Sequence, residues 1–408
     1  MPGGRRCGTG KKVVIIQFTS TLSGEGNMTQ ADGKTTVVIV GGGVAGLALG
    51  TFLLRSGIPC TVLEKNSREY VEQRQRAGSL DGRGVRTLHD WGVGEAVEGH
   101  GGGPSDVVLP LIVHGEKRAW RMDSGEDGAG AFVPQQVLVR NLVRIFLRDG
   151  GDLRFEAADV TLEKLGTEQP RVRYRDGEGA KAIDCAFVAG ADGFHGVSRT
   201  AIPDGFLTCH SHEFGYAWLT VMAEVPADPL AVMAVHARGF AAQITRGPDA
   251  SRIYLQCPVD DTAGDWPDER VWDELGTRLA APVPRGPIAT KQVVPLRGVV
   301  FSPMRYGRLC LLGDAAHLIS PMSAEGMSLA LHDAEVLAHA LVHQVAKDDP
   351  SLLESYSDTC LAHVWERQAS AVWMTDAMHD SGDASYRGEF RKQVALANLE
   401  NLVQPRSA

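Results

Sequence analysis

One short stretch constrains this chain more than any other. Thr35-Thr-Val-Val-Ile-Val40 is an apolar, β-branched run, the mark of a strand buried in a parallel sheet. Gly41-Gly-Gly-Val-Ala-Gly46 follows at once, and Leu47 to Ser56 is good helix material. Gly57-Ile-Pro59 ends that helix, and Cys60-Thr-Val-Leu63 forms a second strand closed by Glu64. The result is a βαβ unit with G-x-G-x-x-G at Gly41, Gly43 and Gly46. Gly41 permits the tight turn, Gly43 lets backbone approach a pyrophosphate, and Gly46 lets the helix pack on the strand; Ala45 completes the small-residue cradle. Free N–H groups at the helix N-terminus then face the phosphates. Glu64 stands about 20 residues beyond the loop, where an acid accepts hydrogen bonds from a ribose. These residues specify a dinucleotide and leave open whether it carries flavin or nicotinamide.

Two later segments favour flavin. Cys185 to Arg199 and Gly307 to His317 are each an apolar strand running into a small-residue turn that carries an aspartate, Asp192 or Asp314. Gly313, Ala315 and Ala316 let backbone come close to a ligand. A helix is expected from near Glu325, so the N–H groups around Gly326 and Met327 point at a carbonyl or an anion. A nicotinamide-only dehydrogenase would leave Asp192 and Asp314 without work. A flavin disulfide reductase would need a C-x-x-C pair, and the seven cysteines contain none.

From Thr35 to about Pro405 the chain resembles the para-hydroxybenzoate hydroxylase family of group A flavin monooxygenases. The matching residues are the stretch Glu64 to Gly78 with Arg74 and Arg76, the glutamine-led helix from Gln135 to Leu142, Asp192-Gly-Phe-His-Gly196, Gly313-Asp-Ala-Ala-His317, and Trp365 with Trp373-Met-Thr375. The resemblance implies an α/β fold: a Rossmann-like three-layer FAD domain, a β-sheet substrate domain and C-terminal helices. It also implies non-covalently held FAD, reduction by NAD(P)H, and oxygen delivered to an aromatic ring through a C4a-hydroperoxyflavin. By position, Glu64 would hold the adenosine ribose, Arg76 the pyrophosphate, Gln135 and Asp314 the ribityl chain. Arg74, His195 and Arg297 would receive the nicotinamide nucleotide, Asp192 lies in the segment involved with both FAD and the nicotinamide, and Lys65 with Tyr70 leans the choice to NADPH. His317 is expected to be structural, packing beside Asp314.

The substrate segment departs from the family. Val232 to Arg246 matches the region that binds the aromatic acid, with Arg246 at the carboxylate-pairing arginine and Arg252 at an arginine tied to flavin movement. Met233 replaces a tyrosine that takes the phenol proton, Ile244 a serine, and Leu402 a second relay tyrosine. Near the flavin Pro321 is kept, while Met322, Glu325 and Ser328 replace threonine, lysine and asparagine. The changes in the substrate pocket remove hydroxyls and add apolar volume. The expected catalytic set is therefore Arg246, Arg252, Pro321 and Met233, with a pocket of Met233, Ile244, Arg246, Met322 and Leu402. The substrate is expected to be larger or more apolar than para-hydroxybenzoate: an indole, an aminoaryl acid or an activated phenol. Epoxidation, Baeyer–Villiger oxidation, a non-oxygenating oxidoreductase or a non-enzymatic flavin-binding protein remain as alternatives.

The bulk numbers agree with an enzyme of two connected domains: 408 residues, 43% hydrophobic and 22% charged. A net charge of -9 argues against a nucleic-acid partner. No apolar run is long enough to span a bilayer, and the odd, unpaired cysteines suit a reducing cytoplasm. No metal-ligand cluster stands out. Residues 1–33 read as a disordered leader, with Met28 an alternative start. The FAD domain is expected from 34–100, 126–205 and 286–345, the substrate domain from 101–125 and 206–285, and a helical region from 346–408, in a monomer or homodimer.

Overall fold

A computed structural model describes residues 33–74, 78–100, 108–121, 128–227, 231–379 and 386–403. The βαβ unit forms as its sequence requires. Val37–Val40 and Cys60–Leu63 are parallel neighbours in register Val37 to Cys60, joined by the helix Val44–Arg55. The first strand begins two residues later than the apolar run, at Val37, and the helix opens directly on the glycine loop. All eight residues of the two strands are buried, which is why they read as continuous apolar runs.

These strands sit in the middle of a six-stranded sheet. Phe187–Gly190 and Leu309–Leu311 extend it on one side and Asp152–Arg154 on the other, all parallel; Arg305–Tyr306 adds an antiparallel edge. The turns bearing Asp192 and Asp314 therefore leave the carboxyl ends of neighbouring strands beside the glycine loop, where an open parallel sheet binds its ligand. The helices Val44–Arg55, Gln135–Arg148 and Gly326–Lys347 share one apolar core with this sheet and with a smaller sheet. In that smaller sheet Gly33–Lys34 pairs in parallel with Ile183–Asp184, so Gly33 belongs to the fold; residues 1–32, with Met28, lie outside the described residues.

A third sheet of eight strands is mixed and builds the second half of the molecule. Its order is His317–Leu318, Ile288–Ser302, Thr208–Ala223, Ser251–Pro258, Ala241–Thr245, Ala231–Val235, Val108–Val113 and Glu116–Arg121. The long strand Ile288–Ser302 pairs along its length with Thr208–Ala223. The sequence reading placed residues 286–302 with the cofactor domain; their pairing puts them, Arg297 included, in this sheet. Pro295 and the polar start of the strand hid its two-residue alternation.

Side chains alternate across the sheet and give it two distinct faces. One carries Leu219, Val221, Ala241, Ile253 and Leu255 and is covered by the helix Asp268–Leu279 through Trp272, Leu275 and Leu279. The other carries Leu111, Trp120, Tyr216, Trp218, Met233, Ala242 and Tyr254, which pack with Met322, Met378 and Leu399. Three C-terminal helices follow: Ser351–Glu354, Tyr356–Met378 and Tyr386–Val403. Among the described residues no helix is long and apolar enough to cross a membrane, and no group of side chains could hold a metal ion.

Candidate cofactor and substrate site

The three glycines of the first loop do different work. Gly41 has φ +111°, and a Cβ there would lie 2.3 Å from Ala191 O; a Cβ on Gly46 would lie 2.0 Å from Gly41 O. Both are demanded by the fold itself. Gly43 has ordinary dihedrals and nothing within 4 Å of its Cβ position, so the space beside it is open. It heads a helix whose first turn has neither a side-chain cap nor an acidic residue, leaving N–H groups free for an anion. Beside the loop, buried Glu64 accepts from Gly42 N at 2.8 Å through Oε2 and from Asn66 N at 2.9 Å through Oε1. Oε1 also accepts from Asn66 Nδ2 at 2.6 Å, so Oε2 is the oxygen that retains a lone pair for a ribose hydroxyl. An uncapped helix start, an open glycine position and a fixed carboxylate fit the dinucleotide that the sequence implies.

The Asp314 turn closes on the same helix. Gly313 has φ +58°, and its Cα hydrogen points at Ala45 and Ala330, 3.2 and 3.5 Å from a Cβ built there. Asp333, fully buried in the helix Gly326–Lys347, accepts from Gly313 N at 2.9 Å and pairs with His317 Nε2 at 2.7 Å. His317 is thus structural, as expected, but its hydrogen-bond partner is Asp333 and not the adjacent Asp314. Asp314 itself is half-buried at the tip of the turn. The helix Gly326–Lys347 starts without a side-chain cap at Glu325, presenting the N–H groups of Gly326 and Met327. Glu325 turns aside to Arg367 at 3.0 Å, and burial pushes its carboxyl above the usual range. Ser328 accepts from Asp81 N at 3.0 Å.

A cationic patch forms around Phe194. Arg297 lies 4.4 Å and Arg199 4.9 Å from its ring centroid, and His195 meets its edge at 5.1 Å. The sequence picked out Arg297 and His195 but missed Arg199, whose cation also covers Phe301 at 4.1 Å. Asp192 turns inward, where its Oδ2 accepts from Ser198 N at 2.8 Å; burial raises its pKa, and its Oδ1 is buried without a partner. Arg74, Lys65 and Tyr70 are exposed, with Arg74 5.8 Å from the Tyr70 ring. Gln135 opens its helix as expected, and the next residue, Gln136, has a buried, unpartnered Oε1. Arg76 lies outside the described residues.

Three of the expected pocket residues come together on the aromatic face of the eight-stranded sheet. Met233, Met322 and half-buried Ile244 belong to one apolar cluster. Ile244 stands opposite Arg252 across the strand pair, and half-buried Arg246 follows in the turn just past the end of the strand. Arg246 makes only a long 3.4 Å contact with Thr245 O, and Arg252 has a buried Nε without a partner. Neither forms an ion pair among the described residues. Tyr254, buried and 5.8 Å from Arg252, lies on the aromatic face. It was missed by sequence reasoning, although its place two residues after Arg252 in a strand was the available signal. Pro321 is exposed at the head of a short turn, and Leu402 falls in the helix Tyr386–Val403 with its side chain outside the described set.

Comparison with known proteins identifies the family and the fold. A family described as "FAD binding domain" matches residues 34–371. The p-hydroxybenzoate hydroxylase of Acinetobacter baylyi is 34% identical over 379 residues, covering 91% of this chain and 92% of that protein. The 3-amino-4-hydroxybenzoate 2-monooxygenase of Streptomyces platensis is 26% identical over 363 residues, covering 82% and 86%. The fold is shared with a crystal structure of aklavinone-11 hydroxylase with FAD and aklavinone, at a TM-score of 0.73 and 19% identity over 86% of this chain and 70% of that one.

Proposed function

Because this chain belongs to the para-hydroxybenzoate hydroxylase-like family of FAD-dependent aromatic monooxygenases, we propose that it hydroxylates an electron-rich aromatic acid larger or more apolar than para-hydroxybenzoate, with NADPH as electron donor. FAD, when bound, supplies the electron transfer from nicotinamide to oxygen. Gly43, Glu64 and the Gly313–Asp314 turn would hold it, with Gln135 and Gln136 at its flank. The patch of His195, Arg199 and Arg297 would take the phosphates of the nicotinamide nucleotide, and Lys65 with Tyr70 and Arg74 offers the extra contacts that favour the 2′-phosphate.

One observation carries the substrate class. Arg252 on the otherwise apolar, aromatic sheet face and Arg246 in the turn at its edge have no carboxylate partner among the described residues. Both arginines are half-buried, and an aromatic carboxylate would complete their guanidinium groups with charge-assisted hydrogen bonds. In the wall around them Met233, Ile244 and Met322 neither accept nor donate protons, and the Tyr254 ring lies beside Arg252. Tyr216 does not replace the missing relay, because burial pushes its phenol well above the ordinary value. A substrate that needs no enforced deprotonation, such as an aminoaryl or indole acid, matches that wall.

Substrate-stimulated NADPH oxidation tests this reading. A bulky aromatic acid should be converted with little peroxide leakage, and para-hydroxybenzoate should be turned over slowly or uncoupled. Arg246→Ala should raise KM for the acid roughly ten- to hundred-fold, the worth of a charge-assisted hydrogen bond. Fast, well-coupled oxidation of para-hydroxybenzoate, or an unchanged KM in the variant, overturns it. Measuring kcat/KM for NADPH against NADH tests the choice of donor.

A further inference from the structure

The aromatic face holds one imidazole that the proposed chemistry does not use. His379 follows the helix Tyr356–Met378 and is 7% exposed. Its ring stacks on Tyr216 at 4.9 Å with the planes 11° apart, and lies 4.8 Å from Phe240 and 5.7 Å from Trp218. Its hydrogen bonds determine the tautomer. An indole N–H only donates, and Trp218 Nε1 donates to His379 Nε2 at 2.7 Å. Nε2 is therefore bare, and the ring proton sits on Nδ1, 2.8 Å from Thr375 O. Burial pulls the imidazolium down to about 3, against a smaller opposing pull from the Thr375 carbonyl, so the ring is neutral.

The chain of contacts continues past Thr375. Its hydroxyl is 2.6 Å from Ala371 O and 2.8 Å from Ser320 Oγ. The one hydroxyl proton goes to the carbonyl, which can only accept, so Ser320 donates to Thr375. Ser320 is 1% exposed and caps the turn Pro321–Ser323 through Met322 N. Trp218 in the sheet is thus joined to the Pro321 turn through the end of one helix.

We propose that His379 is a positioning residue for hydroxylation: with its proton fixed on Nδ1, it ties Trp218 on the substrate face to Ser320 beneath the Pro321 turn, and so sets the gap in which the aromatic ring lies. The proposal rests on the reading that this face binds the substrate. It gives a role to the Trp373-Met-Thr375 run, which otherwise has none. Displacing reacting groups by about 1 Å is enough to cost on the order of a hundred-fold in rate, so a dry, charge-free strut is worth its buried polar atoms.

Nitrogen NMR of histidine-labelled, FAD-loaded protein should show His379 with one protonated and one bare ring nitrogen, unchanged from about pH 5 to about pH 8. A ring that titrates in that window overturns the proposal. Thr375→Val keeps the carbonyl that receives Nδ1–H and cuts the step to Ser320. It should bind FAD and the aromatic acid within about two-fold of the native protein, while product formed per NADPH falls about five-fold or more and peroxide rises to match. His379→Gln, whose amide oxygen can accept from Trp218, should restore more of that coupling than His379→Leu. Unchanged coupling in Thr375→Val, with the native enzyme well coupled, overturns the positioning role alone. Failure of the native enzyme to couple with any aromatic acid overturns both this role and the substrate reading.

Discussion

Gly43→Val is expected to fold like the native chain and to bind FAD at least about a hundred-fold more weakly, a loss of about 2.8 kcal/mol. The two halves of this expectation come from different observations. Gly43 has φ -85°, which valine adopts, and its Cβ would meet nothing within 4 Å, so the folded protein has no objection to a side chain. The same open space is where a pyrophosphate reaches the uncapped start of the helix Val44–Arg55, and a branched side chain fills it. Gly41 and Gly46 provide the contrast. A Cβ at either would strike backbone oxygen at 2.3 or 2.0 Å, so substitution there should cost folding itself. Flavin fluorescence titration of the apoprotein with a thermal melt separates the cases. A Gly43→Val protein with native flavin affinity would place the phosphates elsewhere.

The second large effect is expected at Asp333. Asp333→Ala should lower stability by about 3–5 kcal/mol, because it leaves His317 and Gly313 N buried without their acceptor. It should also weaken FAD binding, since Gly313 anchors the turn that carries Asp314. The pair has a pH dependence whose sign is fixed. Burial pulls the His317 imidazolium down, but the charge of Asp333 and its hydrogen bond more than offset that, and the net shift is upward. A base raised in the folded state contributes fully below its unfolded value, about 6.5. That contribution is lost as pH rises through the raised folded value. The native melting temperature should therefore fall on the alkaline side of neutrality, and Asp333→Asn should flatten that slope. A native profile without the slope would mean the pair is neutral throughout.

How much of this was readable in advance depends on distance along the chain. The βαβ unit was legible because strand, turn, helix and strand are contiguous and each has a local chemical signal; Cys60–Leu63 falls where the residues put it. Met233, Ile244 and Arg252 do lie on adjacent strands, so their closeness in space follows from closeness in sequence. What stayed hidden were partners brought together by tertiary folding. Asp333 lies on a helix that doubles back beneath the Gly313 turn. Arg367 reaches Glu325 from another helix, and His379 reaches Trp218 across 161 residues. None of these residues belongs to a periodic pattern, so no spacing announces them. The strand Ile288–Ser302 was misassigned because Pro295 and its polar first half mask any two-residue alternation.

The two faces of the eight-stranded sheet are separate cores, one sealed by the helix Asp268–Leu279 and the other the aromatic face proposed above to meet the substrate. Consecutive residues of one strand then answer to different demands: Val232 and Ala241 pack in the helix-covered core, while Met233 and Ala242 line the face proposed to meet the substrate. A combinatorial library confined to Met233, Ala242, Ile244 and Tyr254 can therefore retune substrate range while the intervening positions keep the scaffold standing. Natural divergence in such a sheet has the same freedom, every second residue free to drift.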